Sequence, residues 1–319
     1  MTFTRPVLRT RLSDLLGIEY PIVQSGMGGV AGPDLAAEVS RAGGLGIVAA
    51  VRLTADQVRQ AIHEIRKKTD RPFGVNLLIP PELRPPVPSE RISDDSLQAV
   101  HAALNPIRKD LGLATTSARP TPPADLIPEA FQVILDERVP VFSVGLGNPG
   151  REMVAECHRR GIKVIAMVAT VEDARAVEAT GLDAVVVQGS EAGGHRSTFE
   201  KPPSPQIGAV GAIALIPEVV DAVRIPVIAA GGIADVRGLV AALSLGASGI
   251  LMGTRFIATR ESMALEMYKK SLLEKSGNAT ALTDAFSGRY ARVLRNEFTH
   301  RYAKSGAPVL PFLWQGSAA

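Results

Sequence analysis

Residues Ile225–Thr254, IPVIAAGGIADVRGLVAALSLGASGILMGT, hold two short apolar runs, Ile225–Ala229 and Ser248–Met252, around a segment in which Val236, Leu239, Val240 and Leu243 recur at three and four residues. The runs have the length of buried strands and the segment between them has the spacing of a one-sided surface helix, so the stretch reads as strand, helix, strand. Both runs end in small residues, Ala229-Ala230-Gly231-Gly232 in the first case and Met252-Gly253-Thr254 in the second.

The same alternation extends back through the chain. Further runs are Tyr20–Gln24, Leu45–Ala49, Phe73–Leu78, Val139–Val144, Ile162–Val168 and Asp183–Val187, which makes eight. Between them Leu35/Val39, Val58/Ile62/Ile65, Met153/Cys157 and Ile216/Val219/Val220/Val223 repeat at helical spacing. Counted from Ile22, Gly46, Gly74, Pro140, Lys163, Ala184, Pro226 and Gly249, the runs lie 24, 28, 66, 23, 21, 42 and 23 residues apart. Five gaps fit one βα unit and two contain insertions. Eight such units predict an α/β fold, a closed (β/α)8 TIM barrel forming one domain over 1–319, with its active site on the loops at the C-terminal ends of the strands. An open doubly wound sheet is the alternative. The longer insertion, 79–127 after the third run, carries Pro80, Pro81, Pro85, Pro86, Pro88, Pro120, Pro122 and Pro123 around a helical patch from Asp94 to Leu111. It reads as a Pro-rich flap with no core of its own. The stretch 258–319 reads as a C-terminal extension packing near the pocket.

With 319 residues, 46% hydrophobic and 21% charged, the chain can bury a full core. The single cysteine, Cys157, excludes an intrachain disulfide and any multi-cysteine zinc or iron–sulfur site, and points to a reducing, cytoplasmic location. The five histidines are scattered, so no metal site is expected. Lys+Arg minus Asp+Glu is 35 − 32 = +3 with the signs interleaved, which gives no support to a nucleic-acid partner. Met1 to Leu16 carries Arg5, Arg9, Arg11 and Asp14 without an apolar centre, and no later apolar stretch reaches the ~18 residues of a membrane span, so no membrane partner is expected.

In a barrel, the residues that follow each run share one rim. There the sequence places Gln24-Ser25-Gly26-Met27-Gly28-Gly29, Asn76, Gln188-Gly189-Ser190-Glu191-Ala192-Gly193-Gly194-His195-Arg196, Ala230-Gly231-Gly232 and Gly253-Thr254. Glycines let backbone N–H groups approach a ligand closely, and the loops after the last two strands form the usual phosphate pocket of such barrels. Ordinary turn glycines are the alternative for any one of these loops.

Several segments match known signatures: Leu16-Gly17-Ile18-Glu19-Tyr20-Pro21-Ile22 with Gly26-Met27, Ala42-Gly43-Gly44-Leu45-Gly46, and Arg71-Pro72-Phe73-Gly74-Val75-Asn76. More specific are Glu191-Ala192-Gly193-Gly194-His195, Ile225 to Asp235, and Met252-Gly253-Thr254-Arg255-Phe256. Over about Thr10 to Phe298 the sequence resembles the FMN-dependent nitronate monooxygenase (2-nitropropane dioxygenase) family. The resemblance implies FMN as cofactor, with Ser25, Gly26 and Met27 against the flavin ring, and Asn76 and Gln188 on its polar edge or ribityl chain. It further implies backbone contacts from Gly193 and Gly194, and a phosphate site at Ala230, Gly231, Gly232, Gly253 and Thr254. His195 is the implied catalytic residue: an imidazole of unperturbed pKa ~6.5 can take a proton from a carbon acid or, protonated, stabilise an anion. The implied reaction is oxidation of alkyl nitronates, with nitroalkanes as a further substrate class, by O2 to carbonyl compounds and nitrite. The implied partners are a small-molecule nitronate or similar carbon acid and O2, with a homodimer left open.

Ser143 stands where nitroalkane-oxidising members tend to place a second histidine, and Gly145-Leu146-Gly147-Asn148-Pro149-Gly150 looks more like a reductase branch. An NAD(P)H-dependent FMN reductase of quinones or of enoyl-acyl-carrier-protein therefore stays open, as does a non-redox barrel binding a phosphate ligand. Cys157 lies away from the rim and reads as a buried, inert thiol, which argues against the IMP dehydrogenase group. Ala285-Phe286-Ser287-Gly288-Arg289 is similar to a segment that folds back toward the flavin in the nitronate-oxidising branch. Arg292, Arg295, Arg301 and Lys304 read as a solvated basic face. His63 reads as a surface residue and His158 as structural, His101 reaches the pocket if the flap folds inward, and Tyr290, His300 and Tyr302 are candidates for the pocket mouth.

Overall fold

Strand pairing, not helix packing, sets the frame of the molecule. In the computed structural model, which describes residues 8–81, 87–121 and 124–319, the strands run in chain order β1 (Ile22–Gln24), β2 (Gly46–Ala49), β3 (Phe73–Leu78), β4 (Val141–Gly145), β5 (Lys163–Val168), β6 (Ala184–Gln188), β7 (Gly194–His195), β8 (Val227–Ala230), β9 (Gly249–Met252), β10 (Thr280–Thr283) and β11 (Ala291–Leu294). Arg5, Pro85, Pro86, Pro122 and Pro123 of the sequence reading lie outside the described residues. Eight strands form one parallel sheet in the order β1-β9-β8-β6-β5-β4-β3-β2, and a bridge between Val23 and Leu45 joins its two ends. The sheet is therefore a TIM-like barrel, and the open alternative falls.

Alternation along the strands builds two cores. Inward side chains of β1, β2, β4, β5, β6, β8 and β9, among them Val23, Ile47, Val141, Ile165, Val186, Ile228 and Leu251, pack with each other inside the barrel. Their outward neighbours, such as Val48, Val75, Phe142, Val164, Val187, Ala229 and Ile250, pack against the surrounding helices. Those helices include Pro33–Arg41, Ala55–Lys68, Gly150–Arg159, Val171–Glu178, Ala212–Ala222 and Val236–Ser244. Their starts are written locally: Thr54 caps Ala55–Lys68 in a reciprocal capping box with Gln57, and Thr170 and Asp235 cap the helices that follow them. Val236 and Val240, read as part of a covering face, point outward instead, and Leu239 and Ala242 make the contact with the barrel. A short helix at Arg11–Leu16 supplies Leu12 and Leu16 to the inner core, and Gly249 leaves room for Leu12 where a Cβ would run into it.

The seam between β1 and β2 has only the Val23–Leu45 bridge, and a side chain completes it. Gln24 is fully buried; its Oε1 accepts from Ile47 N–H at 3.0 Å and its Nε2 donates to Ile47 O at 3.1 Å, with a further contact to Ser25 O. The amide thus takes the place of a backbone partner on the β1 side of Ile47, beyond the single bridge of that seam.

The insertion and the extension are not independent. Helix Asp94–Asp110 of the insertion packs on helix Glu297–Ser305 of the extension, and Ile92, Leu97, Val100 and Leu104 share a satellite core with Ala285, Tyr302, Leu310 and Trp314. The apolar side chains of the insertion are buried in a cluster about half of which comes from residues ~190 positions away in sequence. The extension also forms the hairpin β10–β11, and β11 pairs antiparallel with the two-residue β7, placing Ala291 opposite His195 and Arg292 opposite Gly194. Among the described residues no helix is long and apolar enough to cross a membrane.

Replacing Gln24 with leucine keeps the volume but strands a buried N–H and a buried C=O of Ile47. Each orphaned group costs about 1–3 kcal/mol, so Gln24→Leu should lose about 2–5 kcal/mol of stability in chemical unfolding. A loss below about 0.5 kcal/mol would mean the seam closes without this amide.

Candidate active site at the barrel rim

Lateral register brings the strand ends together. Gln24 stands opposite Met252, Ala49 opposite Asn76, Asn76 opposite Ser143 and Gln188 opposite Ala230, so the loops beyond them leave from one level. Ser25 N–H donates to Met252 O at 3.0 Å. Gly26 lies so close to Asn76 that an added Cβ would run into the Asn76 side chain, 2.9 Å from its Cγ. A Cβ on Gly253 would meet Met27 Sδ at 3.5 Å and Ser25 Cβ at 3.9 Å, and one on Gly193 would meet Thr254 Oγ1 at 3.2 Å. Ser25, Gly26, Met27, Asn76, Gly193, Gly253 and Thr254 are therefore neighbours at one end of the barrel.

Gly231 and Gly232 have φ of +112° and +66°, which glycine alone adopts without strain. They turn the chain away from the end of β8 beside Glu191, whose Cγ is 3.1 Å from where a Gly232 Cβ would sit. Glu191 has a structural task that its place in the glycine-histidine loop did not reveal. Both its carboxylate oxygens accept from Ala212 N–H, at 3.0 and 3.1 Å, capping helix Ala212–Ala222, whose own N-cap is Gly211.

The two rim amides differ in what they have left to offer. Asn76 Nδ2 donates to Ser143 O and Ser143 Oγ, both at 3.1 Å, while its Oδ1 has no partner among the described residues and is not a buried unpaired atom. Gln188 is committed at both ends: Nε2 donates to His195 O at 2.8 Å and Oε1 accepts from Ser197 N–H at 2.8 Å. Gln188 thus pins the strand that carries the histidine.

His195 is half-buried where β7 meets β11. Its Nε2 lies 2.8 Å from Ser287 Oγ, in the turn between β10 and β11, and its ring meets Phe312 edge-on at 6.0 Å. Desolvation, then the positive charges of Arg289 and Arg52, lower its pKa from 6.5 to about 4. The imidazole is neutral throughout the physiological range. Arg289 is buried at 2% exposure, donates to Thr198 O and Phe199 O at 2.7 Å, and lies over the Phe312 ring at 5.9 Å. Arg52 holds a left-handed φ of +64° in the turn after β2. Ser287, Arg289, Phe312 and Arg52 were not among the candidate site residues, because their bearing on His195 is a matter of long-range packing. The only signal for two of them was the Ala-Phe-Ser-Gly-Arg motif.

Other candidates are placed elsewhere. Tyr302 is buried in the satellite core with its hydroxyl on Pro308 O at 2.7 Å, and His300 is exposed on helix Glu297–Ser305. Neither is at the pocket mouth. Tyr290 stays near the rim: its carbonyl accepts from Arg196 N–H, and Lys201 Nζ lies 5.0 Å from its ring. Arg292, read as solvated, reaches back to Ser190 O at 3.0 Å and so ties β11 to the glycine-histidine loop, whereas Arg301 pairs with Asp110. His101 is buried and bonds Ala118 O within the insertion; His63 and His158 pair with Glu137 and Asp183. Cys157 is fully buried, with its thiol pushed up to about 12 by desolvation. No cluster of three or more metal-ligating side chains occurs among the described residues.

The depressed His195 pKa carries a stability consequence. Unfolded chains take up a proton on this histidine near pH 6.5 and the folded protein only near 4, so stability is whole above pH 6.5 and falls as pH drops toward 4. The loss is on the order of 3 kcal/mol. His195→Gln should flatten the stability profile in that window relative to the parent; equal slopes would mean that the folded imidazole titrates normally.

Comparison with known proteins agrees with this geometry. The family model described as nitronate monooxygenase matches residues 9–312. A probable nitronate monooxygenase of Staphylococcus saprophyticus is 37% identical over 295 residues, covering 92% of this chain and 81% of that protein. Among solved structures, nitroalkane oxidase from Streptomyces ansochromogenes superposes with a TM-score of 0.84 at 37% identity, covering 96% of this chain and 84% of that one. FabK from Thermotoga maritima gives 0.72 at 37% identity, covering 92% and 77%. With a family-model match over residues 9–312 and relatives of the same barrel fold at 37% identity over nearly the whole chain, the protein belongs to the nitronate monooxygenase family of flavin-dependent oxidoreductases.

Proposed function

We propose that the protein is an FMN-dependent oxidase of alkyl nitronates, using O2 and releasing a carbonyl compound and nitrite. The observation that carries this reading is a neutral His195 flanked by the positive charges of Arg289 and Arg52 at the rim. A nitronate is already an anion, and two guanidinium groups in a partly desolvated site favour its arrival. A neutral nitroalkane has to lose a C–H proton first, and an imidazole whose conjugate acid has a pKa of about 4 is a poor base for so weak an acid.

The rim residues fit a flavin mononucleotide. Asn76 Oδ1 is a free acceptor for a ring N–H, and Gly26, lacking a Cβ, lets the Asn76 side chain pack against the loop after β1. Ser25 and Met27 would flank the ring, Gly193 and Gly194 would contribute backbone, and Ala230, Gly231, Gly232, Gly253 and Thr254 would surround the phosphate. FMN supplies the electron acceptor for the substrate and the site of reaction with O2. The chain contributes the rest: the guanidinium charges draw the anion in, His195 orients it, and Phe312 and the β10–β11 turn shield that side from water.

Two measurements test the reading. Oxygen uptake should give kcat/KM for propane-2-nitronate at least ~10²-fold above that for neutral 2-nitropropane, the scale of a missing general base. If neither substrate is turned over and NADPH reduces the flavin rapidly, the protein is a reductase, the reading that Ser143 and the Gly145–Gly150 loop favour. The cradle is tested at Gly253. Its φ is −108° and an added methyl makes only ordinary contact with Met27, so Gly253→Ala should fold normally. It should retain less than about a tenth of the parent's flavin after gel filtration, because the methyl occupies the space the ligand needs. Full flavin retention would move the phosphate elsewhere. Gly232 is a poorer probe, since its left-handed φ and Glu191 would strain any side chain there.

A further inference from the structure

The Ser287 hydroxyl has one proton and two claimants. His195 Nε2 is 2.8 Å from Oγ, whereas Arg289 O is 3.2 Å away, and Oγ also lies 3.4 Å from Arg289 N–H, which can donate to it. A 2.8 Å contact admits donation in either direction, but if Nε2–H were the donor the hydroxyl proton would be left to the 3.2 Å contact, beyond the roughly 2.5–3.0 Å span of O–H···O bonds, so the arrangement in which Ser287 donates to Nε2 uses the proton better. Ser287 then accepts weakly from Arg289 N–H and donates to His195 Nε2. A ring nitrogen that accepts cannot carry hydrogen, and a neutral imidazole carries one, so that hydrogen is on Nδ1. Nδ1 has no partner among the described residues. It is not buried either, for the buried unpaired nitrogens among those residues are His101 Nδ1 and Arg108 Nε. The hydrogen is therefore available to a partner outside the described residues.

We infer that Ser287 fixes His195 as its Nδ1–H tautomer, so that the histidine serves as a neutral hydrogen-bond donor to an oxygen of the bound nitronate and not as the base that deprotonates a nitroalkane. Ser287 is a positioning residue and acts through the ring. The identity of the ligand rests on the nitronate reading above; the tautomer does not. Charge favours the same arrangement. With the opposite tautomer, an Nδ1 lone pair would face an anion. Protonating the ring as well would set a third positive charge beside Arg289 and Arg52, which the depressed pKa shows to be unfavourable. The segment that supplies Ser287 is held at this distance by independent contacts: Ala291 pairs with His195, Arg292 bonds Ser190 O, and Gln315 Nε2 donates to Ala285 O at 2.7 Å.

The test is the nitrogen NMR signature of His195 in flavin-loaded, ¹⁵N-histidine-labelled protein at pH 7 without substrate, assigned by its disappearance in His195→Gln. A protonated Nδ1 with an unprotonated Nε2 is expected. An Nε2–H signal in the parent overturns the proposal, and it does so whatever the enzyme's substrate proves to be. Ser287→Ala removes the donor and should shift the ring to the Nε2–H form. It should raise KM for propane-2-nitronate about tenfold, the effect of one lost hydrogen bond to an anion, with flavin content unchanged. Ser287→Thr should restore both. An alanine variant with the parent's tautomer and KM also overturns the proposal. If the alanine variant does not fold, the parent spectrum still decides. Absence of nitronate turnover alongside an Nδ1–H signal would remove the substrate reading and leave the tautomer standing.

Discussion

A parallel barrel exists only if its first and last edges meet, and here that closure passes through one side chain. Between β1 and β2 the backbone offers a single bridge, and the Gln24 amide satisfies both polar groups of Ile47 in a fully buried setting. Everything that concerns chemistry lies downstream of that contact. Closure fixes the tilt and register of eight strands, register sets Ser25, Asn76, Gln188 and Ala230 at one height, and that common height turns separate glycine-rich loops into one concave rim.

On that rim the electrostatics are lopsided. The side facing β7 and the C-terminal hairpin carries Arg289 and reaches Arg52, and the histidine between them has lost its affinity for protons. Surroundings of this sort favour an anion over a neutral molecule, which is the basis of the nitronate reading proposed above. The contrast with an acid–base histidine is one of surroundings only: the same ring beside a carboxylate would have its pKa raised and would take protons readily.

How much of this was legible beforehand depended on the range of the interaction. The alternation of apolar runs is a local signal, and it located eight strands to within two residues at most of their ends; Phe73–Leu78 coincides in both. The rim glycines were legible for the same reason, since each stands directly after a run. β7 was not, because two residues carry no periodicity. The His195–Ser287 contact spans 92 residues and joins a loop to a turn, so no spacing rule predicts it. Tyr302 was misjudged because a tyrosine on an amphipathic helix has two destinations, and the satellite core that claimed it is assembled from an insertion ~200 residues earlier. The bonds from Gln188 to the backbone of His195 and Ser197 carry no sequence signal either, because they depend on how the loop after β6 folds back.

The order in which the parts of the site enter the chain has its own consequence. The strands and the glycine loops are complete once β9 and Thr254 have been synthesised, but Ser287, Arg289 and Phe312 come later, and β11 has to pair with β7 before the histidine has its surroundings. A nascent or C-terminally clipped molecule can therefore close its barrel while His195 remains solvated and free to titrate as an ordinary imidazole. Such a molecule would keep the strands and the glycine loops and lack the charged and aromatic side chains that surround the histidine.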